Sequence, residues 1–408
     1  MDARAARRIG LTVLALCFVL SMLGRGLIDS FGVFLLPIVE AFGWDRAQVI
    51  SIYSVALLSS GLSLPLVGRL FDRHGPRVVY GLGLALLGAA FSVAATARML
   101  WQLQLCLGLA AGLGAACLGN VPNSILLVRW FGPRLPTAMA VAFSGAGAGV
   151  LTMLPLSQLL IDGYGWRGAY RVLGAAILLL LVPLLLLPWR MFSAGAPAIA
   201  RHARPSLGGE GWTLLRALRH QAFWALFCTF FFTAVGMFCI AVQVVAYLVD
   251  VGFPPLQAAT AWGFSGVLVL VGMLTISSLD RLIGRRPSVL LSYAFTIAGI
   301  AMLWLLGRYP NGWLLAGFVG CFGSTIGSRG PLITAEAMEI FRGERVGTIY
   351  GAISLGGGLG SALGSWSGGL LHDWTGGYGA LIGFALVNVV LGAMPFLVVP
   401  ALRRPAGK

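Results

Sequence analysis

The chain has 408 residues, of which 58% are hydrophobic and only 10% are charged. A soluble globular protein carries about a quarter charged residues, so this composition excludes an ordinary soluble enzyme and indicates a membrane protein. The net charge of +15 does not indicate nucleic-acid binding, because most of the basic residues lie between the apolar stretches and are not interleaved with aromatic residues.

Apolar stretches of about 20 residues, the length that crosses about 30 Å of hydrocarbon, recur along the chain. They predict twelve transmembrane helices, at residues 9–36, 47–67, 78–97, 100–128, 136–161, 169–189, 221–249, 256–278, 288–307, 312–340, 346–370 and 379–401. With both termini placed in the cytoplasm, most of the 28 basic residues fall in cytoplasmic segments. This positive-inside bias predicts a multi-pass protein with two cytoplasmic termini.

The first predicted helix contains two charged residues, Arg25 and Asp29, which are four residues apart and therefore share one face. A charge within a membrane span is costly unless it faces a cavity or a partner. Both residues are candidates for substrate binding, and Asp29 is also a candidate proton carrier. The alternative is a permanent ion pair within one helix, which serves neither role.

A short basic loop follows the second predicted helix, and a similar loop recurs 208 residues later, after the eighth. Its repetition predicts a chain built from two copies of one hydrophobic unit, as in duplicated membrane transporters. The loop residues of interest are Gly68, Asp72, Arg73, Gly75 and Arg77 in the first copy and Asp280, Arg281 and Arg285 in the second.

Neutral polar residues in the fourth and seventh predicted helices complete the set of substrate-binding candidates. Asn120 and Asn123 lie around a proline in the fourth helix, and Gln243 and Tyr247 lie one turn apart in the seventh. The alternative is that these side chains bridge neighbouring helices, as buried amides in membrane proteins often do.

A polar segment at residues 190–220 separates two apolar halves. It predicts an N-terminal six-helix bundle at 1–189, a cytoplasmic linker at 190–220 and a C-terminal six-helix bundle at 221–408. In the eleventh predicted helix, glycines spaced four residues apart form one stripe, which predicts close packing against a neighbouring helix. These glycines are Gly356, Gly360, Gly364 and Gly368.

The tenth predicted helix contains Arg329 next to Gly330 and Pro331, which should break or bend it. A cation there is a natural counter-charge for an anionic substrate. The alternative is a permanent buried pair of Arg329 with Glu336 or Asp29. Glu336 is the second candidate proton carrier.

The two Asp–Arg loops resemble the signature of the major facilitator superfamily, and the resemblance extends over nearly the whole chain. Within that superfamily, the first half resembles the monocarboxylate and oxalate–formate transporter branch, through residues 29–34, 42–44, 46–48, 129–131, 144–147 and 164–169.

The resemblance implies an all-α membrane protein with twelve transmembrane helices in two pseudo-symmetric six-helix bundles. In such transporters helices one, four, seven and ten line a central path, which implies that Arg25, Asp29 and Arg329 surround one cavity. The resemblance also implies that the Asp–Arg loops latch the outward-open state. The alternative for these loops is ordinary charge that obeys the positive-inside rule.

Two positions depart from the branch. Its members that carry monocarboxylates resemble one another in having an arginine in the eighth helix, but residues 255–279 contain no Arg or Lys, and Gly272 or Met273 stands there. Animal members resemble one another in having a lysine where this chain has Asp29. We hypothesise that Arg329 replaces the missing arginine.

The sequence therefore predicts a secondary active transporter that moves a small organic anion, a mono- or dicarboxylate, by alternating access, with proton coupling left open. The alternative is an efflux antiporter for drugs or hydrophobic compounds, although buried arginines favour anions. Because no catalytic set, metal cluster or phosphate-binding loop is present, the sequence predicts no enzyme activity and no cofactor or metal. The expected partners are the substrate and membrane lipid, with no nucleic acid, for a monomer in a bacterial inner membrane.

Overall fold

A computed structural model of the chain describes residues 3–131, 135–195, 212–326, 328–341 and 346–399. Every regular element within these residues is helical. The helices of the first half are Ala3–Asp29 (α1), Phe31–Phe42 (α2), Arg46–Ala94 (α3), Leu100–Leu103 (α4), Ala111–Leu118 (α5), Asn120–Val128 (α6), Leu135–Leu186 (α7) and Trp189–Ala194 (α8). Those of the second half are Leu214–Leu218 (α9), Gln221–Ala241 (α10), Val244–Asp250 (α11), Pro255–Gly263 (α12), Ser265–Ile283 (α13), Arg285–Leu306 (α14), Gly312–Phe318 (α15), Gly330–Ile340 (α16), Val346–Thr375 (α17) and Gly379–Val398 (α18).

Nine helical stretches in the described part of the chain are long and apolar enough to cross a membrane. One of them, Ala138–Leu186, contains both the fifth and the sixth predicted helices, which meet at Gly165 with φ of 66°. The all-helical membrane fold predicted from the sequence is therefore confirmed. The count of twelve spans stays a prediction.

Glycines with positive φ recur at matching places in the two halves of the sequence, 209, 209 and 211 residues apart. The pairs are Gly43 and Gly252, Gly75 and Gly284, and Gly165 and Gly376. Gly75 and Gly284, with φ of 78° and 85°, form the turns of the two Asp–Arg loops, where a residue with a Cβ atom would be strained. The repetition of these turns supports a duplicated chain.

The fourth and tenth predicted helices are both interrupted. Each contains a π-helical segment, Gln104–Ala110 in the fourth and Val319–Gly323 in the tenth. Each is broken again shortly before a proline, since α6 begins at Asn120 and α16 begins at Gly330. Interrupted helices of this kind often mark functional positions in membrane proteins, because the break frees backbone and side-chain groups for a ligand.

The chain divides into two compact units. Unit 1 comprises the described residues of Met1–Phe42 and Val55–Ser206, and unit 2 comprises those of Gly43–Ser54 and Leu207–Lys408. The short segment Gly43–Ser54 thus belongs by its contacts to unit 2, although the chain on both sides of it belongs to unit 1.

Glycines allow two long helices to approach closely within each unit. In unit 1, a Cβ atom on Gly149 of α7 would lie 2.2 Å from the carbonyl oxygen of Met22 in α1. In unit 2, a Cβ atom on Gly364 of α17 would lie 2.3 Å from the carbonyl oxygen of Val235 in α10. All four glycines of the predicted stripe face α10 in this way, so the structure confirms that stripe.

Candidate substrate-binding residues

Arg329 is a buried cation at the break in the tenth predicted helix, just before α16. Its side chain is almost fully enclosed, with 3% of the residue exposed. The guanidinium donates from Nε to the Ser292 hydroxyl at 2.8 Å and from Nη2 to the Ser292 carbonyl at 2.8 Å and to the Thr296 hydroxyl. The Arg329 Cζ atom lies 4.0 Å from the centroid of the Tyr293 ring. Arg329 is thus solvated by one turn of α14.

None of these partners is a carboxylate, and among the described residues Arg329 forms no ion pair. The acidic residues proposed as its permanent partners have other contacts. Glu336 binds Arg285, with 2.5 Å between Oε2 and Nη1, and Asp29 binds Arg25. A buried positive charge without a protein counter-charge is expensive, so this position suits an anion.

Arg25 and Asp29 form an ion pair in unit 1, with 2.6 Å between Nε and Oδ2. The Arg25 side chain is 41% exposed and that of Asp29 is 18% exposed. The pair is therefore open to a ligand or a proton on one side. Gly26 beside it packs tightly on α7, because a Cβ atom there would lie 2.7 Å from the carbonyl carbon of Gly149.

The two asparagines of the fourth predicted helix differ in their surroundings. Asn120 is exposed, whereas Asn123 is fully buried. The Asn123 side chain accepts a hydrogen bond from the Tyr80 hydroxyl at 2.8 Å and donates to the Ser21 hydroxyl at 2.9 Å and to the Cys17 and Leu118 carbonyls. Asn123 therefore joins α1, α3 and the fourth predicted helix within unit 1.

The two polar residues of the seventh predicted helix also differ. The Tyr247 hydroxyl donates to the Leu303 carbonyl at 2.7 Å and thereby joins α11 to α14. Gln243 lies at the break between α10 and α11 and is 1% exposed. Neither atom of its amide has a hydrogen-bond partner among the described residues. Gln243 is therefore a buried amide whose hydrogen-bonding capacity is open to a ligand or a water.

The residues predicted to form a latch are placed as follows. Arg73 and Arg77 are exposed beside the turn at Gly75, and a Cβ atom on Gly68 would lie 3.9 Å from Val121. In the second loop, Arg285 contacts Asp280, with 3.9 Å between Nε and Oδ1. The side chains of Asp72 and Arg281 lie outside the described residues, so the latch stays a prediction.

The structure places four side chains of unit 2 in a cluster that the sequence did not predict. Arg46 binds Asp250, with 2.8 Å between Nη2 and Oδ2, and also donates to the Tyr378 hydroxyl, which itself donates to Asp250. The Asp373 carboxylate accepts from the backbone N–H groups of Arg46 and Ala47, at 3.2 and 2.7 Å, and so caps the N-terminus of α3. Burial raises the pKa of Tyr378, which therefore stays a hydrogen-bond donor.

Sequence reasoning also missed the residues that surround Arg329. Ser292 and Thr296 are four residues apart in α14, so their hydroxyls share one face, but this spacing alone does not connect that face with Arg329. No comparable signal links Arg46 to Asp373, because they are 327 residues apart.

Comparison with known proteins places the chain in one family. The family described as the Major Facilitator Superfamily matches residues 14–365. The chain is 29% identical over 392 residues to monocarboxylate transporter 13 of Bos taurus, covering 96% of this chain and 89% of that protein. It is 31% identical over 386 residues to monocarboxylate transporter 11 of Homo sapiens, covering 91% and 79%. It is 26% identical over 407 residues to the uncharacterized MFS-type transporter YcxA of Bacillus subtilis (strain 168), covering 97% of both chains.

Proposed function

The chain belongs to the Major Facilitator Superfamily of membrane transporters, and from this premise we propose that it moves a small organic anion, a mono- or dicarboxylate, by alternating access. The observation that carries the proposal is the buried guanidinium of Arg329, which has no carboxylate partner among the described residues. The names of the mammalian relatives, which are monocarboxylate transporters, support a carboxylate as the substrate.

The physical argument concerns the cost of a charge inside a membrane. An arginine at the centre of a membrane span costs about 3 kcal/mol, even after local relaxation. The hydroxyls and the carbonyl around Arg329 lower this cost by solvating the cation, but they leave its charge uncompensated. A carboxylate supplies the missing charge and a strong, charge-assisted hydrogen bond.

Asp29 is the better of the two candidates for a proton carrier. It lies beside Arg25, whose side chain is 41% exposed, so a proton can reach the pair. An anionic substrate that binds Arg25 would compete with Asp29 for the guanidinium and would so link the pair to substrate binding. Glu336 is held by Arg285 in unit 2, with 2.5 Å between Oε2 and Nη1, and its side chain is only 13% exposed.

The open amide of Gln243 is the polar group in unit 2 that we propose to contact the substrate besides Arg329. We propose that both termini lie in the cytoplasm, which the distribution of the basic residues supports. We also propose a monomer in a bacterial inner membrane, and the arginine-rich composition, in which Lys408 is the single lysine, supports the bacterial membrane. We further propose that residues 1–189 and 221–408 act as the two halves that alternate, joined by residues 190–220.

The proposal is tested by thermal unfolding of the purified protein with acetate, pyruvate, succinate, benzoate and a set of cationic drugs. A ligand that binds only the folded protein raises the melting temperature by mass action. We expect a carboxylate to raise it for the wild type but not for Arg329→Ala. The matched control is Arg308→Ala, which removes an exposed arginine that contacts Trp304, and this variant should respond like the wild type.

The comparison uses the ligand-induced shift and not the melting temperature itself, because removal of a buried arginine also changes stability. If only cationic or neutral hydrophobic compounds stabilise the protein, and Arg329→Ala responds equally, the anion proposal is wrong. Efflux of drugs or hydrophobic compounds is then the better explanation.

A further inference from the structure

The guanidinium of Arg329 has two edges that can hold a carboxylate through two parallel hydrogen bonds. The side edge consists of Nε and one hydrogen of Nη2. Ser292 occupies this edge, because its hydroxyl accepts from Nε at 2.8 Å and its carbonyl accepts from Nη2 at 2.8 Å. A carboxylate therefore cannot use the side edge while Ser292 is in place.

The end edge consists of Nη1 and the second hydrogen of Nη2. Thr296 takes that second hydrogen through its hydroxyl oxygen. Nη1 donates no hydrogen bond to any described residue. Because Thr296 blocks half of the end edge, only one nitrogen of the guanidinium is left for an anion.

The two hydroxyls are oriented for this role by their own hydrogen bonds. The Ser292 hydroxyl donates to the Val289 carbonyl at 2.6 Å, and the Thr296 hydroxyl lies 3.0 Å from the Ser292 carbonyl and 2.8 Å from the Thr325 hydroxyl. Since their protons point towards these neighbours, their lone pairs are directed at the guanidinium. The arrangement is set before any substrate arrives.

From this geometry we infer that Thr296 sets how tightly the site holds its anion, and that Ser292 is a positioning residue for Arg329. The inference rests on the proposed function, since it concerns how the same arginine holds its anion. Because Thr296 leaves only Nη1 available, the anion makes a monodentate contact with the guanidinium and not a bidentate one. This weakens binding and speeds release, which a transporter needs in every cycle.

The sharpest test is Thr296→Val, which keeps the shape of the side chain and removes the hydroxyl. We expect the dissociation constant for pyruvate, measured by thermal stabilisation and by calorimetry, to fall about tenfold as Nη2 becomes available. We also expect the maximal transport rate in proteoliposomes to fall, because affinity differences appear mainly in the rate of release. Lower values of both KM and maximal rate distinguish this role from a merely structural one.

The matched control is Thr229→Val. Thr229 is also a fully buried threonine of unit 2, but among the described residues its hydroxyl bonds only to the Ala225 carbonyl of its own helix, at 2.9 Å. This variant should leave the dissociation constant for pyruvate unchanged. A second variant, Thr296→Ser, keeps the hydroxyl and should retain the wild-type affinity, which separates the effect of the hydrogen bond from that of packing.

The outcomes separate the inference from the proposed function. Tighter pyruvate binding in Thr296→Val, with Thr296→Ser unchanged, supports both. If pyruvate stabilises the wild type and not Arg329→Ala, but Thr296→Val binds it equally or more weakly, the inference is wrong and the proposed function stands. If none of the carboxylates stabilises the wild type, the proposed function fails and the inference fails with it.

Discussion

At the scale of single residues, Tyr293 packs its ring against the guanidinium of Arg329. The ring centroid lies 4.0 Å from the Arg329 Cζ atom. The Tyr293 hydroxyl is held 2.6 Å from the Thr233 hydroxyl and donates to the Gly392 carbonyl at 3.0 Å. The Tyr293 hydroxyl thus connects α14 to α10 and α18, whereas the Tyr293 ring supports the cation.

We expect Tyr293→Phe and Tyr293→Leu to distinguish the role of the hydroxyl from that of the ring. Tyr293→Phe keeps the ring and loses the hydroxyl, so it should lower the free energy of unfolding by about 1–3 kcal/mol and leave pyruvate affinity within about twofold. Tyr293→Leu also loses the cation–π contact, worth about 2 kcal/mol when desolvated, and should weaken pyruvate binding about tenfold or more. Calorimetric titration and thermal unfolding measure the two effects, and equal loss of affinity in both variants would contradict the assignment.

The sequence could identify Arg329 but not the residues that solvate it. A charge within an apolar stretch is visible in any membrane sequence, because so few residues there are charged. Serine and threonine are common in membrane helices, where their hydroxyls usually bond to a carbonyl one turn back in their own helix. Ser292 and Thr296 become distinctive only when the rotation of α14 relative to Arg329 is known, and that rotation depends on packing across the unit.

At the scale of helices, the glycine stripe of α17 sets the distance to α10. A Cβ atom on Gly364 would lie 2.3 Å from the Val235 carbonyl oxygen, so the two backbones touch at this point. Gly358 lies on the same helix but has no atom of another element within 4 Å of its Cβ position. The same substitution at these two positions therefore has opposite consequences.

We expect Gly364→Ala to destabilise the protein by about 1–3 kcal/mol, because the added methyl group must push α17 away from α10. Gly358→Ala should be neutral or stabilising by about 1 kcal/mol, because alanine favours the helix and the space is free. Thermal unfolding in one detergent measures both. Equal destabilisation by the two substitutions would show that the stripe does not set the contact.

The sequence predicted this stripe because four-residue spacing of small residues is a local pattern. It does not predict the breaks that the structure shows in the first and seventh helices, whose predicted spans are residues 9–36 and 221–249. The structure ends α1 at Asp29 and begins α2 at Phe31, and it ends α10 at Ala241 and begins α11 at Val244. Neither break contains a proline or glycine to signal it, so both depend on packing with neighbouring helices.

At the scale of the whole molecule, the duplication can be recognised from the sequence because the Asp–Arg loop is a short local pattern that occurs twice. The Asp–Arg loops recur 208 residues apart, and the structure adds the paired glycine turns, of which Gly75 and Gly284 form those loops. The contacts of Gly43–Ser54 with the rest of unit 2 could not be predicted from the sequence. Hydrogen bonds such as that from Ala47 to Asp373 join residues 326 positions apart, and a single sequence contains no record of such a pairing.

The segment Gly43–Ser54 is tied to both units, by contacts to unit 2 and by covalent bonds to unit 1. If the two units move relative to one another, either this segment separates from the rest of unit 2 or the chain bends where the segment joins unit 1. The contacts extend over two turns of helix, from the N-terminus of α3 at Arg46 to Ser54, whose hydroxyl lies 2.6 Å from that of Ser365 in α17. We predict that residues 43–54 separate from the rest of unit 2 during each cycle of alternating access.

We test the opening with a disulfide between Ser54→Cys and Ser365→Cys. The two hydroxyl oxygens are 2.6 Å apart, so the thiols of two cysteines at these positions lie close to each other, as a disulfide requires. In a background without the six native cysteines, oxidation should reduce pyruvate uptake into proteoliposomes at least tenfold, because residues 43–54 can then no longer separate from α17. Reduction with dithiothreitol should restore the uptake, and each single-cysteine variant should transport equally under both conditions. Full transport by the verified disulfide-bonded protein would mean that residues 43–54 stay with unit 2 throughout the cycle.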